Sequence, residues 1–515
     1  MATALWGCGS DAGHPSPEQI KEVNQLVRDR TAIRWDVGRL VDETADHVAP
    51  APIGDLTLQE ATERALAHNL SLIAAGENLS VAHTQLAQVG LITNPTVGQS
   101  SGWLFPFASH ASPAFDVNIT MMLNSIFTQP ARVSIAQLQE LQANIDMASQ
   151  AYLLAQQVDG KYQEMIQLSR RRRLAERITE LYARAVRAAE ARRKVGIITT
   201  PELNRARLSY QDSVRQVRHL TTQYARAARE MNWLMGYATE PQWRLPQPVI
   251  EDVGTVPVAP DMNRLGQLAR QFRLDLLRAD FDRKLGERGI AMAKLGMIPQ
   301  ITVGGEFARD NQKMWSGGPI LIGVTLPIFD PGLVALALAE AQNRKAQKSY
   351  AALDGQVGQD VRTAFDNWRI AADDVNFFRE SLIPQQEENV RLMETSFRFG
   401  NDDLDTLLNV YQNYVSQLQS FEDAIQAYHD SGVALQQAVG LTWDRILAES
   451  GVRGAVTQPA TTRAASEPAT VPASGAASVP TTSGVSDVPR LIPLTTTSPA
   501  ATGPTTRPAG TEPQP

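Results

Sequence analysis

The sequence predicts a mainly α protein with a small β part: long antiparallel coiled-coil-like helices plus four β-strands, two from each half of the chain. Three observations predict it. The chain is a duplication, with Pro95 and Pro299, Gly196 and Gly400, and Gly236 and Gly440 each separated by 204 residues. Within each copy, heptad-spaced apolar residues run through long proline-free stretches. Short segments between those stretches alternate apolar and polar residues with a period of two. A repeat this long makes a two-fold pseudo-symmetric body, because solenoid repeats have periods of about 20–50 residues.

Bulk composition narrows the classes further. The length prior for 515 residues is about three domains, but the duplication reduces this to one body of two fused halves with appendages. Charged residues make up 20%, and the net charge of -7 provides no field for a polyanion, so nucleic acid is not an expected partner. Aromatic residues at 6% fit long helices better than a large sheet-built core. No window approaches 18 consecutive apolar residues, which argues against a transmembrane helix.

The elements follow in order. Residues 1–16 are a leader whose Leu5-Trp6-Gly7-Cys8-Gly9-Ser10 is similar to a bacterial lipobox, with Cys8 as the lipid anchor; the other reading is an unpaired cysteine in a disordered leader. Only seven residues precede Cys8, fewer than a signal's charged and apolar regions need, so the anchor reading expects a start upstream of Met1. Residues 17–55 form an N-terminal arm. Repeat 1 spans 56–240: a helix from Leu58 to about Ile92, opened by a capping box of Thr57 and Glu60, then a hairpin, then a long helix from Ala131 to about Val195. Its seam is Leu138, Leu141, Ile145, Ala148, Tyr152 and Ala155, resuming at Leu174, Ile178, Leu181, Ala185 and Ala188 after a stutter. Gly196 closes it, and a third helix runs from Pro201 to Gly236. Residues 241–260, rich in proline, read as an extended linker.

Repeat 2 spans 261–445 with a cleaner seam: Val357, Val361, Ala364, Trp368, Ala371, Val375, Phe378 and Leu382. Pro384 kinks or interrupts that helix. A helix of about 65 residues is about 100 Å long, so two shorter helices laid end to end are needed to accompany it. Residues 446–515 read as a disordered Pro/Thr/Ala/Ser-rich tail.

The strands carry the functional signal. Val117, Ile119, Met121 and Leu123 alternate with Asn118, Thr120, Met122 and Asn124. In the second copy Ile301, Val303, Gly305 and Phe307 alternate with Gln300, Thr302, Gly304 and Glu306, and Ile320, Ile322, Val324 and Leu326 form the returning face. The connections Phe105 to Ala114 and Arg309 to Pro319 read as exposed loops with aromatic rims. Four strands cannot close a bilayer-spanning barrel, and an open edge in lipid leaves backbone groups unpaired. Closure therefore has to come from further copies of the chain.

These features together resemble the TolC-like outer membrane efflux proteins over about residues 56–441. The marks are Leu66-Ala67-His68-Asn69-Leu70, Asn94-Pro95 and Ile298-Pro299 leading into strands, Leu326-Pro327-Ile328-Phe329-Asp330-Pro331-Gly332 leaving the second hairpin, and Phe397-Arg398-Phe399-Gly400 before the last helix. The resemblance implies a homotrimer, with four strands from each chain contributed to a transmembrane β-barrel and the helices forming an α-barrel, a tunnel across the periplasm. It implies a passive outer-membrane channel of a tripartite efflux pump or type I secretion system, working with a periplasmic adaptor protein and an inner-membrane transporter and contacting outer membrane lipid. It also places the narrow mouth at the entrance turns after Gly196 and Gly400, where acids can form a selective ring. The family's acidic positions six and nine after the second glycine hold Thr406 and Asn409 here, so the channel-entrance candidates are Asp402, Asp403, Asp405 and Glu202. The plainer reading of Asp402 and Asp403 is that they cap the following helix.

Other signals are weaker. Arg170 to Arg173 reads as a solvated helix face, with an adaptor-docking patch as the alternative. His14, His47, His68, His83, His110, His219 and His429 show no ligand spacing, so no metal or cofactor is expected. Trp103 and Trp315 near strand ends suit an interfacial belt, whereas Trp368 reads as core. No catalytic motif is present, and an enzyme is not expected. The competing reading is a lipid-anchored or soluble periplasmic coiled-coil scaffold whose apparent hairpins are loops.

Overall fold

A computed structural model describes residues 14–41, 51–101, 115–246, 259–309 and 315–450. Cys8, Trp103, the first hairpin's connection and the chain beyond residue 450 lie outside them.

The arm is more structured than its sequence suggested. Ser16 caps α1 (Pro17–Thr31) with Gln19 completing a capping box, and α2 (Gly38–Val41) and the short β1 (Ile53–Asp55) follow. Copy one then contributes α3 (Leu58–His68), α4 (Leu70–Gly90), β2 (Thr96–Ser101), β3 (Phe115–Met122), α5 (Asn124–Lys194) and α6 (Thr200–Leu234). After β4 (Gln242–Arg244), copy two contributes α7 (Met262–Phe272), α8 (Leu274–Gly296), β5 (Gln300–Arg309), β6 (Trp315–Thr325), α9 (Leu333–Phe377), a π-helical turn (Phe378–Leu382), α10 (Ile383–Phe399) and α11 (Leu404–Val439). α12 (Trp443–Ser450) closes the described chain.

Several expectations are corrected. The first helix is broken at Asn69, which ends α3 and caps α4 by accepting from the Leu72 amide at 3.1 Å. At Thr57 only half the capping box forms, because the Glu60 carboxylate turns to Arg64 at 2.8 Å. α5 begins at Asn124 rather than Ala131 and holds Pro130 within it; nearby, Thr128 and Arg132 take up the Asn124 and Ser125 carbonyls, each at 2.9 Å. The expected linker starts as a strand, since β4 pairs in parallel with β1. Trp315 to Pro319 belong to β6 instead of a loop. The tail begins later than 446, because Ile446 and Leu447 are buried in α12. Pro384 does perturb its helix: it has no N–H to offer the preceding turn, and the π-helical turn lies immediately before it.

The rods are as long as the heptads demanded. α5 has 71 residues, about 106 Å of helix. It is accompanied by α6 and α4, which meet end to end; α9, the π turn and α10 are accompanied in the same way by α11 and α8. The two joints are built alike. Asn69 Nδ2 donates to the Leu234 carbonyl at 2.9 Å, and its repeat-mate Arg273 donates from Nη1 to Ala438 at 3.4 Å. Beside them Gly236 and Gly440 take the left-handed conformation, φ 84° and 80°. A Cβ on Gly236 would sit 2.1 Å from the His68 carbonyl oxygen, and one on Gly440 3.1 Å from the Arg273 Cα. The helix end can approach the break only without a side chain.

The arm ties the copies together. The Arg30 guanidinium, buried against Phe272, donates to the Phe272 carbonyl at 2.7 Å, while the Arg30 carbonyl accepts from Thr442 at 3.0 Å. Burial lowers the Arg30 pKa to about 10. In copy two Trp368 anchors the core, as its place in the seam implied, with its ring centroid 5.3 Å from that of Trp443 and 6.1 Å from that of Tyr428.

The four long strands form one antiparallel sheet in the order β2-β3-β5-β6, so the hairpins of the two copies are joined through β3 and β5. The register aligns Val97 with Ile119, Gly305 and Ile320, and Met121 with Val303 and Ile322. The predicted apolar residues therefore share one face. Among the described residues no helix is long and apolar enough to cross a membrane.

The joint geometry gives a graded expectation for alanine. Gly196 has the same positive φ but open space around its Cβ direction, so Gly196→Ala should cost only about 1 kcal/mol. Gly236→Ala adds a backbone collision and should cost about 3 kcal/mol or more. Thermal unfolding followed by circular dichroism measures both, and equal losses would contradict the close approach.

Candidate functional site

Two regions are open to function: the edges and faces of the sheet, and the helix end that holds the two glycine turns. In the sheet, among the described residues, β2 pairs only with β3 and β6 only with β5, so each has one side without a strand neighbour there. The apolar face is uncovered, with Ile320 77% exposed and Ile322 70% exposed. The opposite face aligns Asn118 with Glu306, Thr120 with Gly304 and Thr302 with Gly323. Phe329, leaving the sheet toward α9, is fully exposed. Burial of apolar area is what normally makes such a strand favourable, and here the chain alone does not provide it.

The helix layer is open in the same way. Toward the sheet the order is α4, α5, α8, α9; toward the glycine turns it is α6, α5, α11, then the lower end of α9 with α10. Each layer ends on a first-copy helix at one side and a second-copy helix at the other.

At the far end the glycine turns repeat each other bond for bond. Gly196 N donates to Arg193 and Ile197 N to Arg192, both at 3.0 Å; Gly400 N donates to Phe397 at 3.0 Å and Asn401 N to Ser396 at 3.1 Å. The helix that follows each turn is capped by different chemistry. In copy one Glu202 reaches back to the Thr199 amide at 2.6 Å. In copy two Asp403, the repeat-mate of Thr199, accepts from the Thr406 amide at 2.7 Å, and hydrogen bonding from the Thr406 hydroxyl, then from its amide, lowers the Asp403 pKa. Asp402 accepts from the Ser396 hydroxyl, and Asp405 is ion-paired with Arg205 of copy one. All four acids are thus brought to one end of the molecule, and each has a local partner. The capping reading holds for Asp403, whereas Asp402 bonds backward into α10.

Sequence reasoning missed Arg192. Its guanidinium lies 3.6 Å from the centroid of the Phe397 ring and donates to the Phe397 and Asp402 carbonyls, clamping the first turn to the second. The available signal was a basic last turn, Arg192 to Lys194, before Gly196. Its repeat-mate is Ser396, so the duplication gave no second sighting. Around the clamp, Ile198, Leu203, Phe397, Leu404, Leu408 and Tyr411 form one buried cluster. At the tips Val195, Ile197 and Phe399 are exposed.

Farther from the turns, the basic run is neither a solvated face nor a free patch. Arg170 is 7% exposed, Arg171 bonds Asp423 at 2.6 Å and Gln426 at 3.0 Å, and Arg172 lies over the Tyr224 ring. The run buttresses α5 against α11 and α6. On the α11 side Glu422 and His429 enter this polar seam. Burial pushes the Glu422 pKa up against the pull of Arg170 and Arg171. Burial, then Arg170, lowers that of His429 to about 4.

Comparison with known proteins agrees with this geometry. Residues 265–441 match the family model described as outer membrane efflux protein. Among solved structures, CusC matches with 15% identity and a TM-score of 0.63, covering 77% of this chain and 96% of that one. VceC of Vibrio cholerae, an outer membrane protein, matches with 15% identity and a TM-score of 0.61, covering 75% and 96%. The MtrE outer membrane channel of Neisseria gonorrhoeae matches with 17% identity and a TM-score of 0.60, covering 75% and 89%. Among curated proteins none matches. The resemblance read from the sequence is borne out, and the chain shares the fold of these outer membrane proteins.

Two outcomes follow. Arg192→Ala should destabilise the turn end by about 1–2 kcal/mol, and Arg192→Lys should not restore it, because an ammonium lacks the planar fork. Amide exchange at residues 396–403 checks this; full rescue by lysine would contradict the stacked clamp. For His429 the folded pKa lies below the ordinary 6.5, so the folded state binds fewer protons: its stability is present above about pH 6.5 and falls toward pH 4 by up to about 1.4 kcal/mol per pH unit. Glu422, raised, has the opposite slope and loses its contribution as pH rises through its folded value. Denaturant titrations between pH 4 and 7 should therefore show a flatter acid limb for His429→Gln and a steeper one for Glu422→Gln.

Proposed function

We propose that the chain is one of three identical staves of a passive outer-membrane duct, the channel of a tripartite efflux pump or type I secretion system. The observation that carries this reading is the sheet with two unpaired edges and one uncovered apolar face. In hydrocarbon each unpaired amide or carbonyl costs several kcal/mol, so edges of this length have to pair. β6 of one copy beside β2 of the next supplies those bonds three times over and closes a barrel. The apolar face then meets outer membrane lipid and the mainly polar face lines the bore. The uncovered apolar strands disfavour the competing scaffold reading.

The same ring closes the helix layer into a tunnel across the periplasm. Its narrow end is the pair of glycine turns, where an adaptor protein and an inner-membrane transporter would meet it. The exposed Val195, Ile197 and Phe399 support a protein contact at that end. Asp402, Asp403, Asp405 and Glu202 surround the opening as fixed negative charge, each held by the partner that also shapes the turn. Cys8 is the proposed lipid anchor, and the location is the outer membrane with extension into the periplasm. No step of chemistry is assigned to the chain.

Planar-bilayer recording of the detergent-purified chain tests the duct. Uniform conductance steps without any partner are expected, with preference for cations. The triple variant Asp402→Asn, Asp403→Asn, Asp405→Asn keeps groups that can accept the same hydrogen bonds and removes three charges per copy. Its cation preference should fall severalfold. An unchanged preference would remove the acids from the mouth, and absence of conductance would remove the duct.

A further inference from the structure

The two copies share a backbone plan but not a charge. Residues 161–240 hold 17 Lys and Arg against 8 Asp and Glu, a net charge of +9. Their repeat-mates, residues 365–444, hold 4 against 14, a net charge of -10. Opposite charge of this size on equivalent helices is not needed for either to fold. Part of it is used inside the chain, where Arg171 meets Asp423 and Arg205 meets Asp405 across the inner seam of α5, α6 and α11.

The rest lies on the outer flanks. Toward the glycine turns the layer ends in α6 at one side and in residues 365–399 at the other. On α6, Arg218 and Arg229 are exposed, and among the described residues neither has an ion-pair partner. On the other edge the same is true of Asp366, Asp373, Asp374 and Glu380, and three of these recur at steps of seven.

The levels also match. α6 climbs away from the turn end and residues 365–399 descend to it, so heights can be counted from the turns. At 1.5 Å per residue, Arg218 stands about 27 Å above Thr200 and Glu380 about 28 Å above Phe399. Arg229 stands about 43 Å up, within about 6 Å of the level of Asp373 and Asp374 at about 38–39 Å. A ring whose axis follows the rods preserves these heights from copy to copy.

We propose that neighbouring copies are keyed by charge along this seam: the basic α6 edge of one copy meets the acidic 365–399 edge of the next, with Arg218 opposite Glu380 and Arg229 opposite Asp373 and Asp374. This rests on the ring reading above and adds to it the charge pairs that enforce its head-to-tail order. A two-fold pairing would set basic edge on basic edge, or acid on acid. Only a head-to-tail arrangement satisfies every seam, and head-to-tail contacts generate closed rings when the rotation closes. The occupant of each edge is therefore a second copy of this chain, because the complementary surface, equal in length and level, is carried by the chain itself.

The test uses the full-length protein in detergent, with the particle's mass and its dissociation rate followed by light scattering at low and high salt. The wild type is expected to be oligomeric and to dissociate faster as salt rises, since exposed pairs are screened beyond about 10 Å at 0.1 M. Glu380→Arg and Arg218→Glu should each speed dissociation at low salt by about tenfold, and the double exchange should return the rate to within about threefold of wild type. Should either reversal reduce helicity, Glu380→Gln and Arg218→Gln replace it, with about a threefold effect expected. An oligomer whose dissociation ignores salt and all these variants overturns the keyed seam and leaves the ring standing. A wild-type particle of a single chain overturns both.

Discussion

An antiparallel sheet with two unsatisfied edges is the constraint on which the rest of this architecture depends. Each residue along β2 and β6 carries backbone groups that must find partners, and water is the only alternative to another strand. The uncovered apolar face closes off that alternative by favouring hydrocarbon. The helices inherit the same condition, because each layer of rods is continuous with the sheet and ends at the same two flanks. In the proposed duct one chain is a segment of a wall, and its function is a property of the wall.

Duplication made the segment from one plan used twice, and what was kept is geometry more than chemistry. Gly236 and Gly440 preserve the close approach of a helix end to a helix break. The donor at the break is an amide in one copy, Asn69, and a guanidinium in the other, Arg273. The turn after Gly196 is capped with the help of Glu202, and that after Gly400 by Asp403 itself. Positions fixed by backbone conformation resisted divergence. Positions that need only a donor, an acceptor or a charge drifted, far enough for residues 161–240 and their repeat-mates 365–444 to acquire opposite sign.

That distinction explains what the sequence could disclose. The repeat interval, the heptad seams and the alternation in the strands are periodic consequences of packing, so Val361, Trp368 and Ile119 announced their roles in order. The sheet's pairing of β3 with β5 across the two copies follows from contacts far apart in the chain, and no local pattern states it. The break at Asn69 was hidden because an asparagine within an amphipathic run reads as a surface residue until its amide is seen meeting Leu234. Arg192 was invisible for a similar reason: its value lies in Phe397, more than two hundred residues away, and its repeat-mate is a serine. The acids lie beside the two glycine turns in the sequence, but their hydrogen-bond partners emerged only in three dimensions.

Amide hydrogen exchange on the purified particle tests the closed wall most directly, by comparing the outward-facing amides of β2 and β6 with the doubly paired amides of β3. The account predicts equal, slow exchange on all three strands, because every edge is bonded to a neighbouring copy. Rapid exchange confined to β2 and β6, with β3 protected, would show an open sheet and contradict it.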